Sequence, residues 1–137
     1  MEFKELGEVV NCLRQRFKLY GVILFGSRAR GDFKPWSDYD LLIVGEFNKS
    51  YLDRLGEVLE VLSCTNLPIE PHPYTLDEAI QMLLKGNPLI VDALSEGIVL
   101  YETKEFEVLK ERFNDLVRKG LRKSEVSVVL PEGVGGN

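Results

Sequence analysis

Two short, continuous apolar runs do most to limit what this chain can fold into: Val22-Ile23-Leu24-Phe25 and Leu41-Leu42-Ile43-Val44. Neither alternates with polar residues, and each ends at a glycine, Gly26 or Gly45. Runs of this length, rich in branched and aromatic residues, read as strands buried on both faces. The segments around them carry the other periodicity. Leu6, Val9, Val10, Leu13 and Phe17 recur at three- and four-residue steps, which predicts a first helix over about Phe3 to Phe17. Leu52, Leu55, Val58, Leu59 and Leu62 predict another from about Lys49 to Cys64.

Local signals set most of the remaining boundaries. Pro68 to Tyr74 must be extended, because Pro71 and Pro73 exclude helix around them. The same prolines cannot donate ladder hydrogen bonds, so this strand belongs at a sheet edge. Thr75-Leu76-Asp77-Glu78 is a capping box opening a helix that runs to about Lys85. Asn87-Pro88 opens the next, ending at Gly97. Ile98 to Tyr101 is a short strand. Phe106, Leu109, Phe113, Leu116 and Val117 mark a last helix ending at Gly120. The order of elements implies an α/β or α+β fold with a small mixed β-sheet. A domain over residues 1–120 is expected, followed by a flexible tail over 121–137. That tail begins beside the basic residues Arg118, Lys119, Arg122 and Lys123 and finishes in a glycine-rich stretch.

With 137 residues the chain suits one domain with its own core. Its formal net charge of −5 disfavours broad binding to nucleic acid, which needs clustered positive charge. It carries no apolar run long enough for a membrane span and no N-terminal secretion signal. Cys12 and Cys64 have no metal-ligand spacing. They fall on apolar stripes, which reads as buried, reduced thiols of a cytoplasmic protein, with a disulfide between them left open.

The chemistry concentrates between the two buried runs. Asp38 and Asp40 are two apart, so on a strand their carboxylates share a face, roughly 7 Å apart at Cα. Like charges held at the end of a buried strand favour a hard divalent cation such as Mg²⁺ or Mn²⁺. Alone, an Asp-x-Asp is more often a turn cap followed by a solvated acid. Gly26-Ser27 ends the first run and starts a short helix, an arrangement whose backbone N–H groups and hydroxyl suit a phosphate. Alone, it is often only a turn. Together they give Gly-Ser-x10-Asp-x-Asp, with a phosphate-binding turn and a metal-binding pair on neighbouring strands. Phosphoryl and nucleotidyl transfer need that combination. Arg28 could touch a phosphate, while Arg30 reads better as a salt bridge to Asp32 or Asp38. Trp36 and Tyr39 could stack on a base, with packing or loop anchoring the plainer reading.

The segment GSRARGDFKPWSDYDLLIV resembles the core motif of the DNA polymerase beta-like nucleotidyltransferase superfamily. It is closest to the minimal nucleotidyltransferases of bacteria and archaea, and the similarity in pattern covers roughly Phe3 to Tyr101. The resemblance implies a mixed sheet flanked by helices, Mg²⁺ dependence and ATP as donor. It maps the triphosphate-binding pair onto Gly26 and Ser27 and the first two metal ligands onto Asp38 and Asp40. The family's third carboxylate comes from a later neighbouring strand, where this chain offers Glu70, a glutamate in place of the more usual aspartate. Among the acids of that stretch, Glu78 is engaged in the capping box, Asp77 lies in a helix's first turn and Asp92 lies within a helix. Only Glu70 is on an extended segment. His72 would share its face and is a candidate general base.

Minimal members of the family often pair with a small all-helical HEPN-type protein in toxin–antitoxin modules, as antitoxins that attach AMP to a partner tyrosine. The resemblance therefore implies transfer of a nucleoside monophosphate, AMP from ATP, to a partner protein. A non-catalytic module that binds a nucleotide or partner and neutralises it by contact is the alternative. A small-molecule transferase is a third, disfavoured because the chain has little room for a substrate domain. Acceptor and oligomeric state stay open, a homo-oligomer included.

Overall fold

The two apolar runs lie at the centre of one sheet. In the computed structural model, which describes residues 2–123 and 128–131, they form β1 (Leu19–Phe25) and β2 (Tyr39–Gly45). These pair antiparallel, with Val22 opposite Ile43 and Phe25 opposite Asp40. β3 (Ile69–Tyr74) adds parallel to β2, and β4 (Ile98–Glu102) adds antiparallel to β1. The order is β3-β2-β1-β4, a mixed four-stranded sheet. Prolines 71 and 73 thus sit in an edge strand, where their missing N–H groups cost least.

Side chains alternate across β1 and β2 and feed two cores. Val22, Leu24, Leu41 and Ile43 pack with Leu6, Val9, Val10 and Leu13 of α1 (Glu2–Arg16) and with Val58 of α3 (Tyr51–Val61). Ile23, Phe25, Leu42 and Val44 pack against α4 (Leu76–Leu84), α5 (Pro88–Glu96) and α6 (Glu107–Arg118). Helices therefore cover both faces, which is why these strands lack polar alternation. The short helix α2 (Ser27–Arg30) follows directly on β1. The expected capping box is formed: Glu78 N–H donates to Thr75 Oγ1 at 3.1 Å, and Thr75 N–H donates to Glu78 Oε1 at 2.8 Å. No helix among the described residues is long and apolar enough to cross a membrane.

The cysteines correct one expectation. Cys12 of α1 and Cys64 are joined in a disulfide, and Cys64 is exposed rather than buried. α3 stops at Val61 and the chain tightens into a 3-10 turn, Leu62–Cys64. The tighter winding takes Cys64 off the apolar stripe and brings it beside α1. Past Gly120, where the sequence reads as a tail, β5 (Arg122–Lys123) pairs with β6 (Val128–Val129). Leu121 and Pro131 are buried there, and Leu130 lies over Gly86. Residues 132–137, the glycine-rich end expected to be disordered, lie outside the described residues.

Candidate active site

The register brings both halves of Gly-Ser-x10-Asp-x-Asp to one corner of the sheet. Phe25 is the last residue of β1 and pairs with Asp40, so Gly26 leaves the strand next to that carboxylate. Gly26 has φ 76°, which favours glycine, and a Cβ there would stand 2.5 Å from Asp40 Oδ2. A side chain at position 26 would therefore strain the backbone and displace the Asp40 carboxylate. Ser27 follows as the first residue of α2, half-buried.

On the other side of Asp40, the parallel register sets Glu70 directly opposite it and His72 opposite Leu42. Carboxylate oxygens of Asp40 and Glu70 and a ring nitrogen of His72 lie within 4.8 Å of one another. With its proton on Nε2, His72 donates to Asp40 Oδ1 at 3.2 Å, and its ring packs on Phe25 with centroids 5.3 Å apart. The two acids perturb each other in opposite directions. Glu70 is raised, first by its hydrogen bond with Asp40 and then by burial and the Asp40 charge. At Asp40, burial pushes the carboxyl up, but hydrogen bonds from His72 and Glu70 outweigh it and the net shift is downward. A pair of acids that perturb each other in this way carries a surplus of negative charge that a cation would relieve.

The remaining sequence candidates stand differently. Asp38 precedes β2 and is exposed, and it is not part of the Asp40–Glu70–His72 cluster. Its charge still acts on Glu70 and contributes to raising it. Arg28 holds the following loop. Its Nε donates to Ser37 O at 3.1 Å and a terminal nitrogen donates to Pro35 O at 3.3 Å. Arg30 pairs with Asp32 at 3.2 Å and with Glu96 at 3.5 Å, and its charge lowers Asp40. His72 was legible as a partner of Glu70 by strand alternation, but its bond to Asp40 requires the β2–β3 register. Two carboxylates and one imidazole are a donor set that fits a divalent cation, with oxygen ligands suited to Mg²⁺ or Mn²⁺.

A glycine-serine turn beside an acidic cluster, on a small mixed sheet covered by helices, is an arrangement that suits a nucleotidyltransferase. Residues 6–126 match the nucleotidyltransferase domain family, and the chain belongs to it. It is similar to two Methanocaldococcus jannaschii proteins named as protein adenylyltransferases. One is 32% identical over 123 residues, covering 83% of this chain and 82% of that protein. The other is 43% identical over 53 residues, 37% of this chain, and this chain spans about half (53%) of its length. Among solved structures, a toxin–antitoxin complex with AMP-PNP superposes with a TM-score of 0.57 at 19% identity, over 80% of this chain and 84% of that one. A complex of a tri-AMPylated Shewanella oneidensis HEPN toxin with its MNT antitoxin superposes at 0.53 and 17% identity, over 83% and 86%. At such identities the structures share the fold. It is the fold expected from the sequence.

Proposed function

We propose that this chain transfers AMP from ATP to a hydroxyl of a partner polypeptide, as the antitoxin of a HEPN-type pair. The observation that carries the reading is the close approach of Gly26 to the Asp40 carboxylate, with no room between them for a Cβ, which sets the glycine-serine turn beside an acidic cluster. The relatives named as protein adenylyltransferases support a polypeptide acceptor. The complexes of the same fold support a helical partner.

Asp40 and Glu70, joined by Asp38 from the loop, would hold Mg²⁺ or Mn²⁺. When bound, that ion neutralises the triphosphate and polarises its phosphorus–oxygen bonds. Gly26 and Ser27 orient the triphosphate through the backbone and the Ser27 hydroxyl. The acceptor oxygen forms a bond to the α-phosphorus as the bond to pyrophosphate breaks, and the hydroxyl proton passes to a carboxylate. Glu70, opposite Asp40 on the neighbouring strand, is the candidate for that role.

The test is incubation with labelled ATP, Mg²⁺ and a HEPN-type protein from the same genome. Label on that protein, lost in Asp40→Asn, is the expected result. A stable complex without label would favour neutralisation by contact alone. Neither label nor complex would remove the polypeptide acceptor.

A further inference from the structure

The loop between α2 and β2, residues 31–38, makes up most of the spacer between Ser27 and Asp38, and it is more firmly tied than a spacer requires. The Arg28 guanidinium lies 4.3 Å from the centroids of both the Phe33 and Tyr39 rings while its nitrogens hold Ser37 O and Pro35 O. Lys34 N–H donates to Ser37 Oγ at 2.9 Å, and Ser37 N–H donates back to Lys34 O at 3.0 Å. Tyr39 is buried at the loop's end, and its N–H donates to Pro68 O at 2.8 Å, just ahead of β3. At the tip of this braced turn stands Trp36, 77% exposed, with Phe33 beside it in the loop at 40%. Trp36 is two residues from Asp38 and four from Asp40.

We propose that Trp36 is the anchor by which the acceptor polypeptide docks over the active site. This rests on the AMP-transfer reading above. Small ligands bind in concavities that cover most of their surface, and an indole on a turn tip is convex. A convex aromatic instead fills a pocket on a partner, and tryptophan is enriched among the residues that dominate such interfaces. The Arg28 clamp fixes the turn before binding, so little ordering entropy opposes docking. The loop runs from the Gly26-Ser27 turn to the strand that carries Asp40, so Trp36 stands on the segment that joins the two halves of the candidate site. Arg28 is then a positioning residue for docking, which accounts for its engagement with the loop.

The full-length chain, Trp36→Ala and Trp36→Phe would be compared, with a HEPN-type protein from the same genome as acceptor. Trp36→Ala should raise the acceptor KM roughly 30-fold. The Kd for Mg²⁺–ATP, kcat at saturating acceptor and Tm should change little, and Trp36→Phe should recover part of the loss. Trp36 is also the only tryptophan of the chain, so its fluorescence reports its own environment. The acceptor should shield it from acrylamide, while Mg²⁺–ATP alone should leave quenching unchanged. Shielding by Mg²⁺–ATP alone, with a parallel loss of ATP affinity in Trp36→Ala, would overturn the proposal in favour of a nucleobase platform. An unchanged acceptor KM would overturn it outright. If the wild-type chain binds Mg²⁺–ATP but neither labels nor complexes the acceptor, docking fails while the nucleotide site stands.

Discussion

The edge strand β3 carries a polar cluster at each end. At its start, Glu70 and His72 meet Asp40. At its end, Pro73 O and the Thr75–Glu78 capping box meet Arg54. The second cluster is internally matched. Arg54 is 4% exposed, yet one terminal nitrogen donates to Glu78 Oε1 at 2.7 Å and to Pro73 O at 3.2 Å, and the other to Lys49 O at 3.0 Å. Its guanidinium also lies 5.1 Å from the Phe47 ring centroid. One cation and one anion, largely surrounded by acceptors, tie α3, β3 and α4 together. The first cluster is not matched: two carboxylates face one imidazole, and one acid is raised at the other's expense. A protein gains stability from the matched arrangement and gives some up for the unmatched one. The surplus of negative charge is therefore what marks a site rather than a brace.

That contrast can be broken most severely at Asp40. Asp40→Asn, alone or with Asp38→Asn, should lower AMP transfer by about 10³-fold or more, since the ion loses a charged ligand. In EDTA the Tm should change little, because relief of the raised Glu70 offsets the weakened His72–Asp40 hydrogen bond. A marked fall in Tm would make the cluster a brace like the other. Glu70→Gln should cut transfer by roughly 10²-fold, in the range of a lost general base, while most Mg²⁺–ATP affinity remains by calorimetry. Near-normal turnover would remove Glu70 from the site.

At the other end of β3 the effects should fall on stability alone. Glu78→Gln leaves the buried Arg54 without its anion and should cost about 2 kcal/mol. That is below the usual figure for a broken buried pair because the Glu78 side chain is 44% exposed. Arg54→Met removes the buried charge itself and leaves the half-exposed Glu78 and the carbonyls of Pro73 and Lys49 without their donor, and should cost about 1 kcal/mol. Urea unfolding measures both, and equal losses would refute the asymmetry.

The smallest effect is the acid limb. Burial raises the Glu78 carboxyl, but hydrogen bonds from Arg54 and the Thr75 backbone outweigh it and the net shift is downward. A depressed carboxyl stabilises the fold above its ordinary value and loses that contribution as pH falls through the folded one. The wild type should therefore lose stability on acidification below about 4.5 more steeply than Glu78→Gln, as seen in Tm against pH. Parallel curves would assign the acid limb to other groups.

Much of this molecule was legible in the amino-acid order, because the signals involved are local. The two apolar runs, the helical stripes, the capping box and the prolines that force β3 to an edge each act over a few residues. The motif residues Gly26, Ser27 and Asp40 follow from their place at strand ends, and Glu70 from being the one acid of its stretch on an extended segment. Tertiary structure decided the rest, because it depends on register and on contacts far apart in sequence. The β2–β3 alignment joins His72 to Asp40 and leaves Asp38 out of the cluster. The 3-10 turn after α3 puts Cys64 at the surface beside Cys12. Arg54 looks in sequence like an exposed helix residue, and only the closure of α3 over β3 and α4 buries it against Glu78. Arg28 follows the glycine-serine turn directly in sequence, and only the folded loop shows that two of its nitrogens hold Ser37 O and Pro35 O. A side chain's chemistry is written in its residue type, but its partner is chosen by backbone packing that no short window contains.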